Sequence, residues 1–530
     1  SGVGRYDGGE TDAGVGYTGT IKNGTNTISF YDTSTASVFG NLLDEGVTDD
    51  GFGNTETYVK NIDNIIGTLE YNDTLTGDNS KNLIYGYGGN DLIYGTGGEN
   101  TLYGGTGNDT VYSSTDVKTG AVGSRGDIIY GGQGIDTLVG SFNGAFLIGG
   151  DSNGEDFEGD WIDYSSMSLN NGYGIYSVLS TTSTFTDADG DRAYLNGSYS
   201  KVNQLDTDGS VLTTSFDYLS QIEHIKGTSG IDTLGGSHGV NNSILAGAGD
   251  DTIFLSTGTD YIDGGDGTGD WISLENMAGA ISNFDLANNN AGDSKVYNIE
   301  NVLDYNGNRG QTVWGSNGDN TFIMYGGNDH VLGRQGNDVY DLGIGDDRAA
   351  NNYGVDTLIG GAGQDTLDMY WNIGANQGAR VIFNSITAAD YNSLATGIGT
   401  LTLSNQTVVT SSITVEGLAT LSDGSYNFYR ITDGRGSYDY LYQNGANPDF
   451  EQFLMTNYAD VFVGSANNDT VYGYGANDTI WAMGGNDIVY GGDSADTIFG
   501  VSGNNRLYGG NDDDLIFGGT GNDTIWGENG

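Results

Sequence analysis

The sequence predicts an all-β fold, a parallel β-roll built in blocks and interrupted by β-rich segments that lack the repeat. Three observations predict it. A nine-residue period recurs along the chain, and a large apolar residue holds one fixed place within it. Glycine supplies 93 of the 530 residues and proline one, so the chain is rich in tight turns and free of the residue that breaks strand ladders.

The period is clearest from Met455 to Trp526, which divides without a gap into MTNYADVFV, GSANNDTVY, GYGANDTIW, AMGGNDIVY, GGDSADTIF, GVSGNNRLY, GGNDDDLIF and GGTGNDTIW. Each unit has a small residue early, Asp or Asn sixth, and Val, Ile, Leu or Phe eighth. The same units run from Gly77 to Tyr112 and, less regularly, from Gly123 to Asp163. They return from Gly227 to Ser273 and from Asn306 to Asp368, where GRQGNDVYD and GGAGQDTLD stand out. A flexible glycine-rich linker would not keep an apolar residue in register. Glycine at the first, second and fourth places permits positive φ in a tight turn. The closing three residues then read as a strand whose eighth-place side chain points inward and whose neighbours point outward.

Written out, the pattern is G-G-x-G-x-D-x-U-x with U apolar, and GGTGNDTIW at Gly518 to Trp526 meets it at every defined place. It resembles the RTX (repeat-in-toxin) nonapeptide family. The resemblance implies a right-handed calcium-loaded β-helix in which two units complete a coil, with many calcium ions between successive turns, held by turn carbonyls and the sixth-place aspartates. Carried over residue by residue, the candidate ligands are Asp91, Asp109, Asp136, Asp232, Asp251, Asp260, Asp270, Asp329, Asp338, Asp347, Asp356 and Asp365, then Asp460, Asp469, Asp478, Asp487, Asp496, Asp514 and Asp523. Calcium suits such a site because it takes about six to eight hard oxygen ligands. Asn82, Asn100, Asn320 and Asn505 stand where the pattern has Asp, and their turns are expected to be weak or empty sites.

Charge supports the same reading. Asp and Glu number 71 against 17 Lys and Arg, a formal net charge of -54, so the chain repels itself unless cations neutralise it. Aromatic residues at 11% are too many for a solvating disordered tail. Nucleic acid is excluded as a partner because phosphate binding needs clustered basic residues. Without cysteine there is neither a disulfide framework nor a thiolate site. No apolar run is long enough for a membrane span.

Enzyme motifs fail on context, and no catalytic residue or organic cofactor is assigned. The three histidines, His224, His238 and His330, lack the H-E-x-x-H spacing of a zinc hydrolase. Gly235 to Gly239 fits G-x-S-x-G but interrupts a glycine-rich repeat rather than joining a strand to a helix. Gly14 to Gly19 fits G-x-G-x-x-G but precedes a hairpin signal, with Asn23-Gly24 as its turn. Carboxylate pairs carry no information in so acidic a chain.

The organisation reads as residues 1–66, an N-terminal β cap or module; 67–163, 227–273, 306–368 and 455–530, four roll blocks; 164–226 and 369–454, β-rich insertions, the second in the manner of a small sandwich; and 274–305, a connector. Entries to blocks share a signature, NIDNIIGT at Asn61 to Thr68, QIEHIKGT at Gln221 to Thr228 and NIENVLDY at Asn298 to Tyr305. Exits share GDWI, at Gly159 and Gly269. The clusters Asp187 to Asp191 and Asp206 to Ser210 read as polar hairpin turns, with the start of a calcium loop as the alternative. Ser1 in place of Met, and a unit begun at Gly527 and unfinished at Gly530, suggest a piece of a longer precursor.

Ninth-place aromatics, including Tyr472, Trp481, Tyr490, Tyr508 and Trp526, are expected to form outward ladders suited to self-association or to cell-surface polysaccharide. Together these features predict a calcium-dependent structural protein, extracellular or on the surface of a Gram-negative bacterium and exported by a type I system: a surface-layer, filament or adhesin subunit. The alternatives are the noncatalytic region of a larger secreted enzyme or toxin, and a glycan-binding module.

Overall fold

A computed structural model describes residues 26–31, 37–42, 46–50, 62–114, 126–141, 144–150, 159–167, 173–179, 197–205, 211–274, 277, 284–304, 310–350, 357–359, 365–368, 451–464 and 467–530, with further short strands at 5–7, 58–60, 185–186, 193–194, 380–382, 399–403, 406–410, 428–432 and 438–442. The chain forms two compact units, Ser1–Met277 with Asp293–Ile299, and Ala278–Gly292 with Glu300–Gly530. Among the described residues all regular structure is strand, and no helix is long and apolar enough to cross a membrane.

In each unit the chain winds as a parallel β-roll. It runs along one sheet, turns, runs along a second, and turns back to pair with its own previous coil. Thus Leu83–Gly88 and Thr101–Thr106 pair in parallel in the first sheet with Ile84 opposite Leu102. Leu92–Tyr94 and Thr110–Tyr112 do so in the second with Ile93 opposite Val111. The second unit repeats this, with Ile480 opposite Ile498 and Val489 opposite Leu507.

Strand alternation explains the core. Eighth-place side chains point between the sheets, so Ile84, Ile93, Leu102, Val111, Ile480 and Leu507 are all 0% exposed. Tyr340 fills an inward place as well; its hydroxyl accepts the Gly333 N–H at 2.7 Å and donates to the Ala350 carbonyl at 3.3 Å, which satisfies its polar end.

Coiling begins before residue 67. Thr27–Ser29 stacks in parallel on Asn64–Ile66, and Val38–Asn41 on Thr74–Thr76. The hairpin expected around Asn23-Gly24 has its turn outside the described residues, and Thr27–Ser29 pairs with the roll. Gly46–Asp50 then lies antiparallel to Val38–Asn41.

Both long insertions return strands to the roll. In the first unit Phe146–Ile148 is followed across the sheet by Val211–Ser220, Gly197–Leu205, Tyr173–Val178 and Ile231–Gly235. In the second, Thr357–Ile359 is followed by Tyr438–Tyr442, Phe428–Thr432, Arg380–Ile382 and Val461–Val463. Each insertion is a three-stranded antiparallel meander whose outer strands run parallel to the coils. Among the described residues, those of 369–454, read from sequence as a sandwich, thus contribute three strands to one roll sheet and Gln452–Leu454 to the other; Gly399–Leu403 and Gln406–Thr410 make a separate hairpin. The acidic clusters at Asp187 and Asp206 lie outside the described residues, as does Gly14 to Gly19.

Replacing a core residue should be costly and position-specific. Ile480→Ala, at a site of 0% exposure, is expected to lose about 2–5 kcal/mol in urea denaturation at saturating calcium, whereas exposed Thr524→Ala stays within about 0.5 kcal/mol of the parent.

Candidate metal site in the turns

The turn joining two strands is fixed by its first six residues. In Gly86 to Asp91 the second and fourth residues take the left-handed conformation, Tyr87 with φ 78° and Gly89 with φ 111°. Gly473 to Asp478 does the same at Tyr474 (70°) and Ala476 (71°). Glycine makes this conformation inexpensive, which explains its recurrence there; Tyr87 and Tyr474 adopt it against an ordinary preference of about 1–2 kcal/mol.

The sixth residue links coils. Asp91 donates its main-chain N–H to Asp109 Oδ1 at 2.7 Å, and Asp109 donates to Asp136 Oδ1 at 2.7 Å. In the second unit Asp460 donates to Asp478, Asp478 to Asp496 and Asp496 to Asp514, at 2.8, 2.8 and 2.9 Å. Each carboxylate thereby spends one oxygen on the coil before it. The other oxygen is a different matter. Oδ2 of Asp91, Asp109, Asp251, Asp329, Asp347, Asp478, Asp487, Asp496 and Asp514 is buried and accepts no hydrogen bond.

Those oxygens look into a cradle of main-chain carbonyls. A methyl placed on Gly104 would overlap both Asp109 Oδ2 and the Gly131 carbonyl oxygen, and one on Gly473 would overlap the Gly491 carbonyl and lie 2.5 Å from Asp478 Oδ2. Burial drives these acids toward the protonated form. It pushes Asp478 up to about 9, Asp91 and Asp487 to about 8, Asp109, Asp251, Asp329 and Asp347 to about 7, and Asp496 to about 6, against an ordinary 3.8. Neighbouring carboxylates add to the rise, Asp460 and Asp496 for Asp478. A buried carboxylate oxygen without a donor, facing carbonyl oxygens, is a donor set that a hard cation satisfies, and calcium fits it. Among the described residues no three acidic, cysteine or histidine side chains converge on one point.

The predicted ligands fall into groups. Asp91, Asp109, Asp136, Asp232, Asp251, Asp260, Asp270, Asp329, Asp338, Asp347, Asp365, Asp460, Asp469, Asp478, Asp487 and Asp496 are buried at their turns. Asp514 and Asp523 are half-buried on the last coil, and Asp356 lies outside the described residues. Asp232, Asp260 and Asp460 differ in having their second oxygen engaged: Thr228 N–H reaches Asp232 at 2.6 Å, Ser256 Oγ reaches Asp260 at 2.7 Å, and Thr456 N–H reaches Asp460 at 2.9 Å.

The asparagine turns also satisfy themselves. Asn100 keeps the coil link, accepting from Asn82 at 2.8 Å, and its amide donates to the Gly95 and Gly97 carbonyls at 2.9 and 3.0 Å. Asn505 accepts from Asp487 at 2.9 Å and donates to Gly500 at 3.2 Å. Asn82 and Asn320 donate instead to the Asp63 and Glu300 carbonyls, at 2.8 and 2.7 Å.

Some ladder members escaped sequence reading. Asp127 and Asp160 accept from Asn100 and Asp136 at 2.7 and 2.8 Å, but sit in irregular units; the apolar residue two places on was the available signal. Where the roll resumes after an insertion a glutamate takes the place: Glu223 accepts from Asp160 at 2.9 Å and Glu451 from Asp365 at 3.1 Å. Glu223 belongs to a shared entry signature, and DFEQFLMT at Asp449 to Thr456 is a further version of it.

Ninth-place aromatics stack from coil to coil. Ring centroids of Tyr472 and Tyr490, Tyr490 and Tyr508, and Tyr508 and Trp526 lie 4.8, 4.7 and 4.3 Å apart with planes within 12°. Trp481 occupies an outward place by alternation but is buried, at 9% exposure, and its register partner Val463 is buried at 5%. Ser237, from the G-x-S-x-G match, is buried in a turn that no helix follows.

A family model for the RTX calcium-binding nonapeptide repeat, four copies long, matches residues 67–102, 87–116, 122–142, 238–269, 314–349, 351–368, 456–489, 472–507 and 490–525. No curated protein matches the chain.

Two outcomes test the site. Gly473→Ala, which intrudes on the Asp478 cradle, should raise the calcium concentration at the folding midpoint about tenfold in titrations followed by circular dichroism, while Gly527→Ala, with nothing within 4 Å, leaves it unchanged. In chelator, carboxylates raised in the folded state favour folding below about pH 4 and lose that contribution as pH climbs through about 6 to 9, so residual β signal should fall as pH rises.

Proposed function

On the premise that this roll is built of RTX calcium-binding nonapeptide repeats, we propose that the protein is a calcium-dependent extracellular structural subunit of a surface layer, filament or adhesin, and that it completes its fold outside the cell. The observation that carries this reading is the file of buried, donorless carboxylate oxygens along both units. Bound calcium supplies the charge and the ligand demand those oxygens lack. A chain of formal charge -54 has little reason to collapse where calcium is scarce, so it stays unfolded for type I export and orders in millimolar external calcium.

A structural role is supported by what the turns contain. Their acids are occupied in linking coils and framing cation sites. The flat aromatic stack Tyr472–Tyr490–Tyr508–Trp526 offers a rigid stripe for lateral packing against a second copy.

The test is a calcium titration of the chelated chain with circular dichroism and light scattering read together, and magnesium as control. Cooperative gain of β structure followed by growth into ordered polymers is the expected result. Folding that leaves a monomer would shift the role to a passive region of a larger secreted protein, and full structure in chelator at neutral pH would remove the calcium reading.

A further inference from the structure

Many turns adopt one of two conformations, told apart by the φ of the residue at their second place; the Asp329 turn is an exception, its Oδ2 donorless although Tyr325 has no positive φ. In the open form that residue is left-handed: Tyr87 (78°), Gly105 (129°), Tyr474 (70°), Met483 (77°) and Gly492 (120°). The acids of those turns, Asp91, Asp109, Asp478, Asp487 and Asp496, carry the donorless oxygens.

In the closed form the second residue is Thr or Ser without positive φ, and its N–H turns in to the acid. Thr68 donates to Asp73 Oδ2 at 2.5 Å, Thr228 to Asp232 Oδ2 at 2.6 Å, and Thr456 to Asp460 Oδ2 at 2.9 Å. The hydroxyl fixes the turn by accepting a nearby N–H, from Tyr71, Gly230 and Tyr458 at 3.1, 3.0 and 3.0 Å respectively. In two cases it also donates to the carboxylate, Thr228 at 3.0 Å and Thr456 at 2.8 Å. Away from block entries, Ser256 closes on Asp260 at 2.7 Å. A cation entering such a turn would have to strip hydrogen bonds that the carboxylate already has, whereas in the open turn it meets an oxygen with none.

The closed threonines are not scattered. Each directly follows the strand on which the roll starts or resumes: Asn64–Ile66 before Thr68, His224–Lys226 before Thr228, and Gln452–Leu454 before Thr456. They are the last residues of the entry sequences NIIGT, HIKGT and FLMT.

We infer that the conformation at the second place decides calcium uptake in turns of these two forms, and that the turn after each of these entry strands is closed by its own threonine and takes none. This rests on the calcium reading of the open turns. The threonine supplies locally what calcium supplies elsewhere, so the first turn after these three entries is set by sequence alone and gives the turns beyond it a fixed edge.

The experiment is native mass spectrometry of the full calcium-loaded chain, counting ions. Opening the closed turns in the triple variant T68G/T228G/T456G is expected to raise the count by three, and T68S/T228S/T456S to leave it at the parent value. Should the glycine variant fail to fold, Gly492→Thr opposite Asp496 serves as the converse and is expected to lose one ion. A parent that binds many ions with a count unmoved by the folded variants overturns the inference alone; a parent that binds none overturns the calcium reading and this inference together.

Discussion

The hydrogen bond from the main-chain N–H of one sixth-place residue to the side-chain oxygen of the next is the constraint from which the rest of the roll follows. A charged acceptor makes it worth about 1.5–3 kcal/mol, more than a neutral bond, and it repeats along both sides of the coil. It demands a short side chain with an oxygen at a set reach, hence Asp or Asn. It also orients the acid so that its second oxygen faces the turn interior. Where an insertion displaces the chain, the longer Glu223 and Glu451 keep the link, at 2.9 and 3.1 Å.

This makes the interior electrostatically incomplete by design. A ladder of neutral amides would leave no need for an ion, and Asn100 shows what that looks like, its amide filling the space between two carbonyls. With aspartate the same geometry leaves a buried negative oxygen, and burial drives its proton affinity upward. Protons and calcium thus compete for one set of oxygens, and the chain uses cations for what an ordinary core obtains from its own donors.

Much of this was legible in the residues. The period and the inward eighth place require only strand alternation and glycine's tolerance of positive φ, and they stand in the structure as read, with the described sixth-place acids set in the turns. What escaped depended on contacts between coils. Asp127 and Asp160 sit in units whose length departs from nine, so register arithmetic missed them. Glu223 and Glu451 are one methylene too long for the pattern, and their role appears only once the insertion is closed over them. Whether Asp232 or Asp478 has a free oxygen turns on the conformation of a residue four places earlier. Trp481 looked outward by alternation, and it is, but its burial is a tertiary fact.

The paired meanders carry a consequence of their own. In both units a long excursion leaves from one strand and returns to pair with the coil it left, and a glutamate beside the returning strand, Glu223 or Glu451, accepts the N–H of the last acid before the gap. The joints therefore behave as sockets: cargo of arbitrary length can be spliced in between Asp160 and Glu223, or between Asp365 and Glu451, provided its first and last strands face the same way as the coil. Within each unit the insertion thus adds surface while the coils on either side keep their register, which separates what the roll can touch from how it holds together.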